Sequence, residues 1–455
     1  MRDRSQDAAL EQVYAKIGRR ILPFLMLLFV LAWLDRVNVG FAQLQMSQDL
    51  GFSGAVYGFG AGVFFLGYLL FEVPSNLLLL RVGARKTIAR IALLWGLASI
   101  AQMLVRTPAQ FYVIRFLLGA FEAGMYPGVL LYLTYWFPAR HRAKMTGIFM
   151  ISVPIAGIVG GPVSGLIMST MGGAGGLANW QWLFLLEGIP SVLMGILTLF
   201  IVDDAPAQAR WLTGDEKALV SADLAADLQA SGPRTHGFAD ALKSPKVWLL
   251  SAICFCFISA NPTLGFWGPT IIRGFGVSSN LTIGLLSAVP FIASIFAIVL
   301  VARHSDRTLE RRYHCAASCL ATATGLALIG VFESQPALAF MALVVAQAGV
   351  LSVFAPFWQL PSTMLTGAAA AGGIALINSI GNFSGWVAPF LVGWLRDLTG
   401  RTSAGLYVVA GLEVAAAVLL LAFMPRTEAR RDPKALQVDQ DVLANRERSK
   451  AVMSS

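Results

Sequence analysis

Residues 31–40, with the sequence LAWLDRVNVG, lie inside an apolar run that extends from residue 21 to about residue 41. A run of this length can cross a bilayer as a helix. It nevertheless carries an acid and a base side by side, Asp35 and Arg36. A charge near the bilayer centre costs about 3 kcal/mol, so charged residues in a spanning helix usually face a bundle interior or a watered cavity. The stretch predicts either a site for an ion or substrate, or an internal ion pair that only fixes helix packing.

The composition of the 455-residue chain is typical of a polytopic membrane protein. It is 56% hydrophobic and 13% charged, about half the charged share of an average soluble domain. The first 20 residues are polar and basic and lack a signal-peptide cleavage site, so we expect the first helix to be retained. The four cysteines show neither CxxC nor zinc spacing. We interpret them as small buried residues and expect no metal site.

Twelve apolar segments are long enough to span a bilayer. They lie at residues 21–43, 54–80, 88–105, 110–136, 145–168, 182–202, 246–269, 281–302, 315–332, 337–360, 373–395 and 404–424. A single long polar connection divides them six plus six. We therefore expect an all-α integral membrane protein of two pseudo-symmetric six-helix bundles. Its expected parts are an N-tail (1–20), a first bundle (21–202), a central loop (203–245), a second bundle (246–425) and a C-tail (426–455).

The distribution of basic residues predicts the orientation. Of the 34 Lys and Arg residues, 28 fall in the tails, the central loop or connections on the same side, and four fall in connections on the other side. Because basic loops stay in the cytoplasm, both tails and the central loop should be cytoplasmic, in a bacterial inner membrane. The net charge of +9 then reflects topology and contact with anionic lipid headgroups rather than nucleic acid.

The two halves also resemble each other in sequence. Predicted helix 5 begins with Gly147-Ile148 and has Pro162 fifteen residues later, and predicted helix 11 begins with Gly373-Ile374 and has Pro389 sixteen residues later. Both helices are rich in glycine, which allows close helix approach. This internal similarity supports two related bundles around a site near the membrane midplane.

Several motifs lie between about residues 15 and 425. They are Leu34–Asn38, Gly67-Tyr68, Glu72–Asn76, Arg115–Gly124 with Pro127, Trp136–Pro138 with Arg142, Phe184–Pro190, Ser305–Arg307 with Glu310, and Gly373–Asn382. Together these motifs resemble the anion:cation symporter family of the major facilitator superfamily. This family includes tartrate, phthalate, hydroxyphenylacetate, galactonate and glycerol-phosphate-like carriers, and the chain is most similar to the tartrate and phthalate types.

The resemblance implies that Arg36 contacts the substrate anion, that Asp35 and Glu122 are proton-linked acids, and that Arg115 is their ion partner. Arg115 and Glu122 are seven residues apart and so share one helix face. Asp35 and Arg36 point about 100° apart, so one would meet helix 4 and the other the cavity. Protonating an acid would release an arginine to hold a carboxylate by two parallel hydrogen bonds. Proton and anion binding would then be cooperative.

Four further residues are candidates for substrate binding. The resemblance places Tyr68 at the cavity, with core packing as the alternative. Asn378 and Asn382 share a face of helix 11 and could bind substrate hydroxyls or a carboxylate, or bond between helices. Trp358 could form a wall of the site or belong to an interfacial aromatic belt.

Two short basic loops are expected to gate the cytoplasmic side. They contain Arg81 and Arg85 after helix 2, and Asp306 and Arg307 after helix 8. The superfamily usually has an aspartate before the Arg-x-Gly of the first loop, where this chain has Leu80. We therefore expect the gate of the first half to be weaker or to use other partners.

The sequence thus predicts a proton-coupled symporter of a small organic anion, most simply a tartrate-like sugar acid or dicarboxylate. An aromatic-acid symporter or an anion exchanger of the same fold is the alternative. We expect no enzyme activity, because the serine, zinc and aspartyl protease motifs and a GxxxxGK[ST] loop are missing. No cofactor besides the proton is expected, and the protein should act as a monomer. The roles of Glu72 and Glu413 stay open, and Glu187 is interpreted as structural.

Overall fold

The computed structural model describes residues 4–231, 242–365 and 368–424. Within these ranges every regular element is helical, and twelve helical units are long and apolar enough to cross a membrane. This confirms the predicted class. We number the units span 1 to span 12: Ala8–Asp49, Gly54–Val82, Ala84–Leu104, Pro108–Trp136, Ala139–Thr170, Asn179–Ile201, Pro245–Gly274, Asn280–Thr308, Arg312–Val331, Pro336–Pro361, Gly372–Thr399 and Thr402–Phe423.

Several spans consist of more than one helix. Span 4 is interrupted at Gly124, where φ is +88° and an added Cβ would lie 2.6 Å from the hydroxyl of Ser75. Glycine permits both this backbone and the close approach of span 2. The component helices are Arg4–Val37 and Val39–Asp49 in span 1, Pro108–Glu122 and Met125–Trp136 in span 4, Ala139–Met150 and Ser152–Thr170 in span 5, Pro245–Ile258 and Ala260–Gly274 in span 7, and Pro336–Ser352, Phe354–Phe357 and Gln359–Met364 in span 10.

The N-tail and the central segment are more structured than predicted. The first helix already begins at Arg4, and residues 203–231 include the helix Gly214–Ser231. Asp223 on this helix is buried and accepts hydrogen bonds from Tyr14 (2.8 Å) and Arg140 (2.6 Å). Lys16 bonds Glu216 and holds the pKa of that carboxyl below its usual value. The central segment is therefore attached to the first bundle. Its residues 232–241, like the C-tail from 425, lie outside the described residues.

The two halves meet mainly through two helix pairs, with a smaller contact between spans 1 and 7. Span 2 packs against span 11, and span 5 packs against span 8. Spans 2 and 8 occupy the same position in their respective halves, as do spans 5 and 11. The two contacts are thus equivalent under exchange of the halves, as expected for pseudo-symmetric bundles.

The halves are tightly packed at the end opposite the N-terminus, which we call the sealed end. An added Cβ on Gly393 of span 11 would lie 2.0 Å from the carbonyl oxygen of Gly54 of span 2. The carboxylate of Asp397 accepts hydrogen bonds from the backbone N–H groups of Gly54 (2.8 Å) and Ala55 (2.7 Å). A negative charge at a helix N-terminus is favourable. Asp397 therefore joins one half to the first turn of a helix of the other half.

The opposite end has much weaker contact between halves. Four further hydrogen bonds join the halves towards the sealed end: Tyr57 to Phe266, Thr270 to Gln43, Arg273 to Leu44 and Asn280 to Met168. Towards the other end, the described hydrogen bonds include one long contact of 3.5 Å, from Asn378 to Glu72. The structure is thus closed at one end of the interface and loosely joined at the other.

Spans 2 and 11 can pack this closely at the sealed end because glycines lie where the two helices cross. Gly393→Val should force spans 2 and 11 apart and open the sealed end. Gly411→Val is the matched control, because an added Cβ at Gly411 meets no atom within 4 Å. A cysteine introduced at Gln43, which is 5% exposed, reports the opening through labelling by a membrane-impermeant maleimide. The native cysteines among the described residues are buried.

We expect labelling of Gln43→Cys to rise several-fold in the Gly393→Val background and to stay at its basal level in the Gly411→Val background. Equal labelling in the two backgrounds would show that the glycine contact does not hold the end closed.

Candidate functional site

Span 1 directs its two charged side chains to different surroundings. Asp35 is fully buried inside the first half. Its carboxylate accepts hydrogen bonds from Trp95 (3.0 Å) and Ser99 (2.5 Å) of span 3 and from Ser191 (2.5 Å) of span 6. Arg36 points elsewhere, and 17% of its side chain is exposed. The two side chains diverge as predicted, and Arg36 is the one that meets span 4. Asp35 contacts spans 3 and 6 rather than the cavity.

Arg36 forms an ion pair with Glu122 of span 4. The Glu122 side chain is 1% exposed, and its second oxygen has no hydrogen-bond partner among the described residues. The Arg36 guanidinium lies over three aromatic rings, at 5.4 Å from Trp33, 4.9 Å from Phe64 and 5.5 Å from Tyr68. Such rings attract a cation through their faces. They hold the guanidinium in place while leaving N–H donors at its edge.

Arg115 is buried, and it forms no ion pair with a carboxylate among the described residues. It donates to the carbonyl oxygens of Arg36 (3.3 Å) and Ala61 (3.0 Å), and its guanidinium lies over the ring of Phe64 at 5.3 Å. The prediction that Arg115 is the ion partner of Glu122 is therefore wrong. The direct partner of Glu122 is Arg36. Arg115 is still close enough to interact electrostatically with Glu122. Backbone carbonyl oxygens hold the Arg115 guanidinium in place, and its charge makes the electrostatic potential of the site more positive.

The predicted substrate residues are only partly brought together. Tyr68 is 7% exposed and lies at the arginine site. Asn378 reaches across from span 11 to Glu72, one turn beyond Tyr68. Asn382 and Trp358 have no described contact with this cluster. Trp358 packs beside Phe357 in the second half, with ring centroids 5.5 Å apart.

The predicted gate residues act within each half in this conformation. Asp204, after span 6, accepts from the backbone N–H of Arg85 at 2.8 Å. Asp204 thus supplies a carboxylate next to the loop where the usual aspartate is replaced by Leu80. Asp306 pairs with Arg311 at 2.7 Å. Arg81 and Arg307 are exposed.

A cavity of about 60 Å³ lies between the halves beside this site. It has room for about two water molecules. Its walls come from spans 1, 5, 7, 8 and 10. Representative lining residues are Trp33, Gly157, Gly161, Pro269, Phe291 and Gln347.

The sequence analysis missed two features of the site. One is the set of donors to Asp35, which are Trp95, Ser99 and Ser191. The other is Phe64, whose ring contacts the guanidinium groups of both Arg36 and Arg115. Ser99 and Ser191 are small hydroxyl residues in apolar runs. Such residues are common in packed membrane helices, and only the fold shows that both donate to one carboxylate. Phe64 lies one turn before Tyr68 on span 2, and this helical spacing was the one available signal.

Twelve spans in two halves, with a buried ion pair between spans 1 and 4, are the architecture of a polytopic membrane transporter rather than an enzyme. The family model for the Major Facilitator Superfamily matches residues 25–389. The chain therefore belongs to the Major Facilitator Superfamily.

Similar proteins agree with this family. The chain is 46% identical over 426 residues to an Agrobacterium vitis protein named "Putative tartrate transporter", covering 94% of this chain and 93% of that one. It is 45% identical over 416 residues to a Pseudomonas putida protein named "Putative metabolite transport protein NicT", covering 91% and 95%. Among solved structures, the Escherichia coli xylose transporter XylE in an inward open conformation superposes with a TM-score of 0.72 at 16% identity, covering 91% and 98%. At that identity the likeness concerns the fold.

The contacts of Asp35 yield a prediction about stability. Trp95→Phe keeps the ring but removes the N–H donated to Asp35. A hydrogen bond to a charged group contributes about 1.5–3 kcal/mol, so the thermal midpoint of the purified protein should fall. Trp182→Phe is the matched control, because Trp182 donates to Ala174 in an exposed connection. Equal midpoints for the two variants would contradict a stabilising role for the Asp35 contacts.

Proposed function

We propose that this protein is a proton-coupled symporter of a small organic anion, with tartrate or a related hydroxydicarboxylate as its substrate. The observation that carries the proposal is the ion pair of Arg36 with Glu122, which joins spans 1 and 4 of the first half and lies among aromatic rings. A relative that is 46% identical is named for tartrate transport, which supports this choice of substrate.

The ion pair suggests how protonation of Glu122 could control the binding of an anion to Arg36. While Glu122 is ionised, it occupies the guanidinium edge of Arg36. Protonation of Glu122 removes the charge that holds the pair and leaves Arg36 without a counter-ion. A substrate carboxylate can then form two parallel hydrogen bonds with the guanidinium. Anion bound to Arg36 in turn disfavours ionisation of Glu122, so the two ligands bind cooperatively.

The net charge of the site favours a dianion. Once Glu122 is neutral, the site contains two guanidinium groups, one able to contact substrate directly and one fixed by carbonyl oxygens. A monoanion would leave one of these charges uncompensated. Tyr68 and Asn378 could then bind substrate hydroxyls, because each offers a donor and an acceptor.

Transport would proceed by alternating closure of the two ends of the interface between the halves. The distribution of basic residues assigns the sealed end to the outside and both tails to the cytoplasm of a bacterial inner membrane. The conformation described here would then be one that releases substrate inwards. We expect a monomer to suffice, because the site is built from one chain.

An aromatic acid such as phthalate is the second candidate. The rings of Trp33, Phe64 and Tyr68 around Arg36 favour it, since an aromatic carboxylate could stack on them while bonding the guanidinium. The same site without proton release would act as an exchanger.

The test is uptake by proteoliposomes that contain the purified protein and maintain an inward proton gradient. Labelled tartrate, galactonate, phthalate and 4-hydroxyphenylacetate are offered separately. We expect tartrate to accumulate above equilibrium and the accumulation to collapse with a protonophore. Accumulation of phthalate alone would transfer the proposal to aromatic acids. Equilibration of every acid without accumulation would overturn proton symport.

A variant of the acid gives the corresponding prediction. Glu122→Gln can still bond Arg36 weakly but cannot gain or lose a proton. The Glu122→Gln variant should retain tartrate counterflow exchange. It should lose at least about nine-tenths of gradient-driven accumulation, a roughly tenfold change that corresponds to about 1.4 kcal/mol. Glu333→Gln is the control, since Glu333 bonds Ser403 in a connection outside the site. Full accumulation by Glu122→Gln would contradict the assigned role.

A further inference from the structure

A second buried acid, Glu187 of span 6, lies inside the first half beside Asp35. It is 4% exposed. One carboxylate oxygen accepts a hydrogen bond from Ser164 of span 5 at 2.7 Å, and the other has no partner among the described residues. Ser191, which donates to Asp35, is four residues further along span 6, or about one helical turn. Asp35 of span 1 therefore contacts span 6 about one turn beyond Glu187.

In the described part of the chain, no cationic side chain is hydrogen-bonded to either acid. Among the described residues, every side chain hydrogen-bonded to Asp35 or Glu187 is neutral. The charged groups that act on them are other carboxylates: Asp35 acts on Glu187, and Glu122 of span 4 acts on Asp35. Two ionised carboxylates cannot share an apolar interior without a large cost, so such a pair retains a proton.

Asn38 provides an independent indication of a binding site, because its buried side-chain amide lacks hydrogen-bond partners among the described residues. It is 1% exposed, and neither its side-chain oxygen nor its nitrogen has a hydrogen-bond partner in the described part of the chain. It follows Asp35 by three residues on span 1 and lies beside Glu187. A buried amide without partners is costly. Its oxygen could accept from a protonated carboxyl while its nitrogen donates to an ionised one.

We propose that Asp35, Asn38 and Glu187 form a second proton-binding site within the first half, and that Glu187 is a proton-coupling residue of the transport cycle. The inference rests on the proposed function, since a coupling residue presupposes proton symport. The amide of Asn38 would bridge the two acids, with one proton shared between them. Asp35 would transmit the state of this site to its chain neighbour, Arg36.

The position of Glu187 suits proton entry from outside. Span 6 begins at the sealed end with Asn179, and Glu187 is eight residues along it, about 12 Å. Asp35 and Ser191 lie about one turn deeper. When that end opens, Glu187 would be the first of these acids to approach water. Together with Glu122, the site would bind two protons per cycle, which makes import of a dianion electrically neutral.

The test compares the pH dependence of tartrate uptake in proteoliposomes for wild type and Glu187→Gln. Glutamine keeps the volume and an acceptor for Ser164 but cannot titrate. Because removing one carboxylate removes repulsion from its neighbour, we expect the pH of half-maximal uptake to move to lower values by about one unit. The ratio of protons to tartrate should fall by half, with counterflow exchange retained. Glu187→Asp should restore the ratio in part.

Glu413→Gln is the matched control. Glu413 is a buried acid of span 12 in the other half, 1% exposed, with one oxygen lacking a partner among the described residues. It should leave both the pH profile and the proton ratio unchanged. A wild-type profile and ratio in Glu187→Gln, or an equal change in Glu413→Gln, would overturn the proposal.

A measurement without transport separates this inference from the proposed function. Infrared spectra of the purified protein record the carbonyl stretch of a protonated carboxylic acid, and its loss as pH rises reports titration. Glu187→Gln should remove one titrating band, and Glu413→Gln should not remove the same one. Failure of wild type to accumulate any acid overturns the proposed function, and the band alone then decides whether Glu187 binds a proton.

Discussion

The ion pair between Arg36 and Glu122 constrains most of the structure around it. A charged side chain in a membrane interior needs a partner or a polar surrounding, because its transfer from water is costly. The pair meets this requirement with one contact between spans 1 and 4. Arg115 meets it differently, with backbone carbonyl oxygens. The result is a site with more positive than negative charge, which a substrate anion can complete.

The same constraint separates two polar regions that the sequence places next to each other. Asp35 is turned away from Arg36 and is held by neutral donors inside the first half. Glu187 lies in the same interior. The arginine site faces the interface between halves, where binding of the proposed anion would influence closure. The acidic region faces helices of a single half. The proposed second proton site is thus adjacent to the proposed anion site along the chain but lies in a different part of the fold.

The sequence predicted the twelve spans and their division because apolar length and polar connections follow directly from bilayer thickness. It also predicted that residues 35 and 36 diverge, since adjacent helical residues point about 100° apart. It could not predict which of the two faces span 4. That choice depends on how span 1 is rotated against its neighbours, which is a property of tertiary packing. For the same reason Arg115 was assigned a carboxylate partner and instead bonds carbonyl oxygens. The helix Gly214–Ser231 was missed because its attachment depends on Tyr14 and Arg140, which are distant in sequence.

The central claim is that protonation of Glu122 frees Arg36 to bind an anion, and proton uptake on anion binding tests it most directly. Tartrate is titrated calorimetrically into purified protein at one pH in two buffers that differ in ionisation enthalpy. The account predicts that binding takes up protons, and that affinity falls as pH rises, by reciprocity. Binding with no proton uptake and with an affinity independent of pH would contradict it.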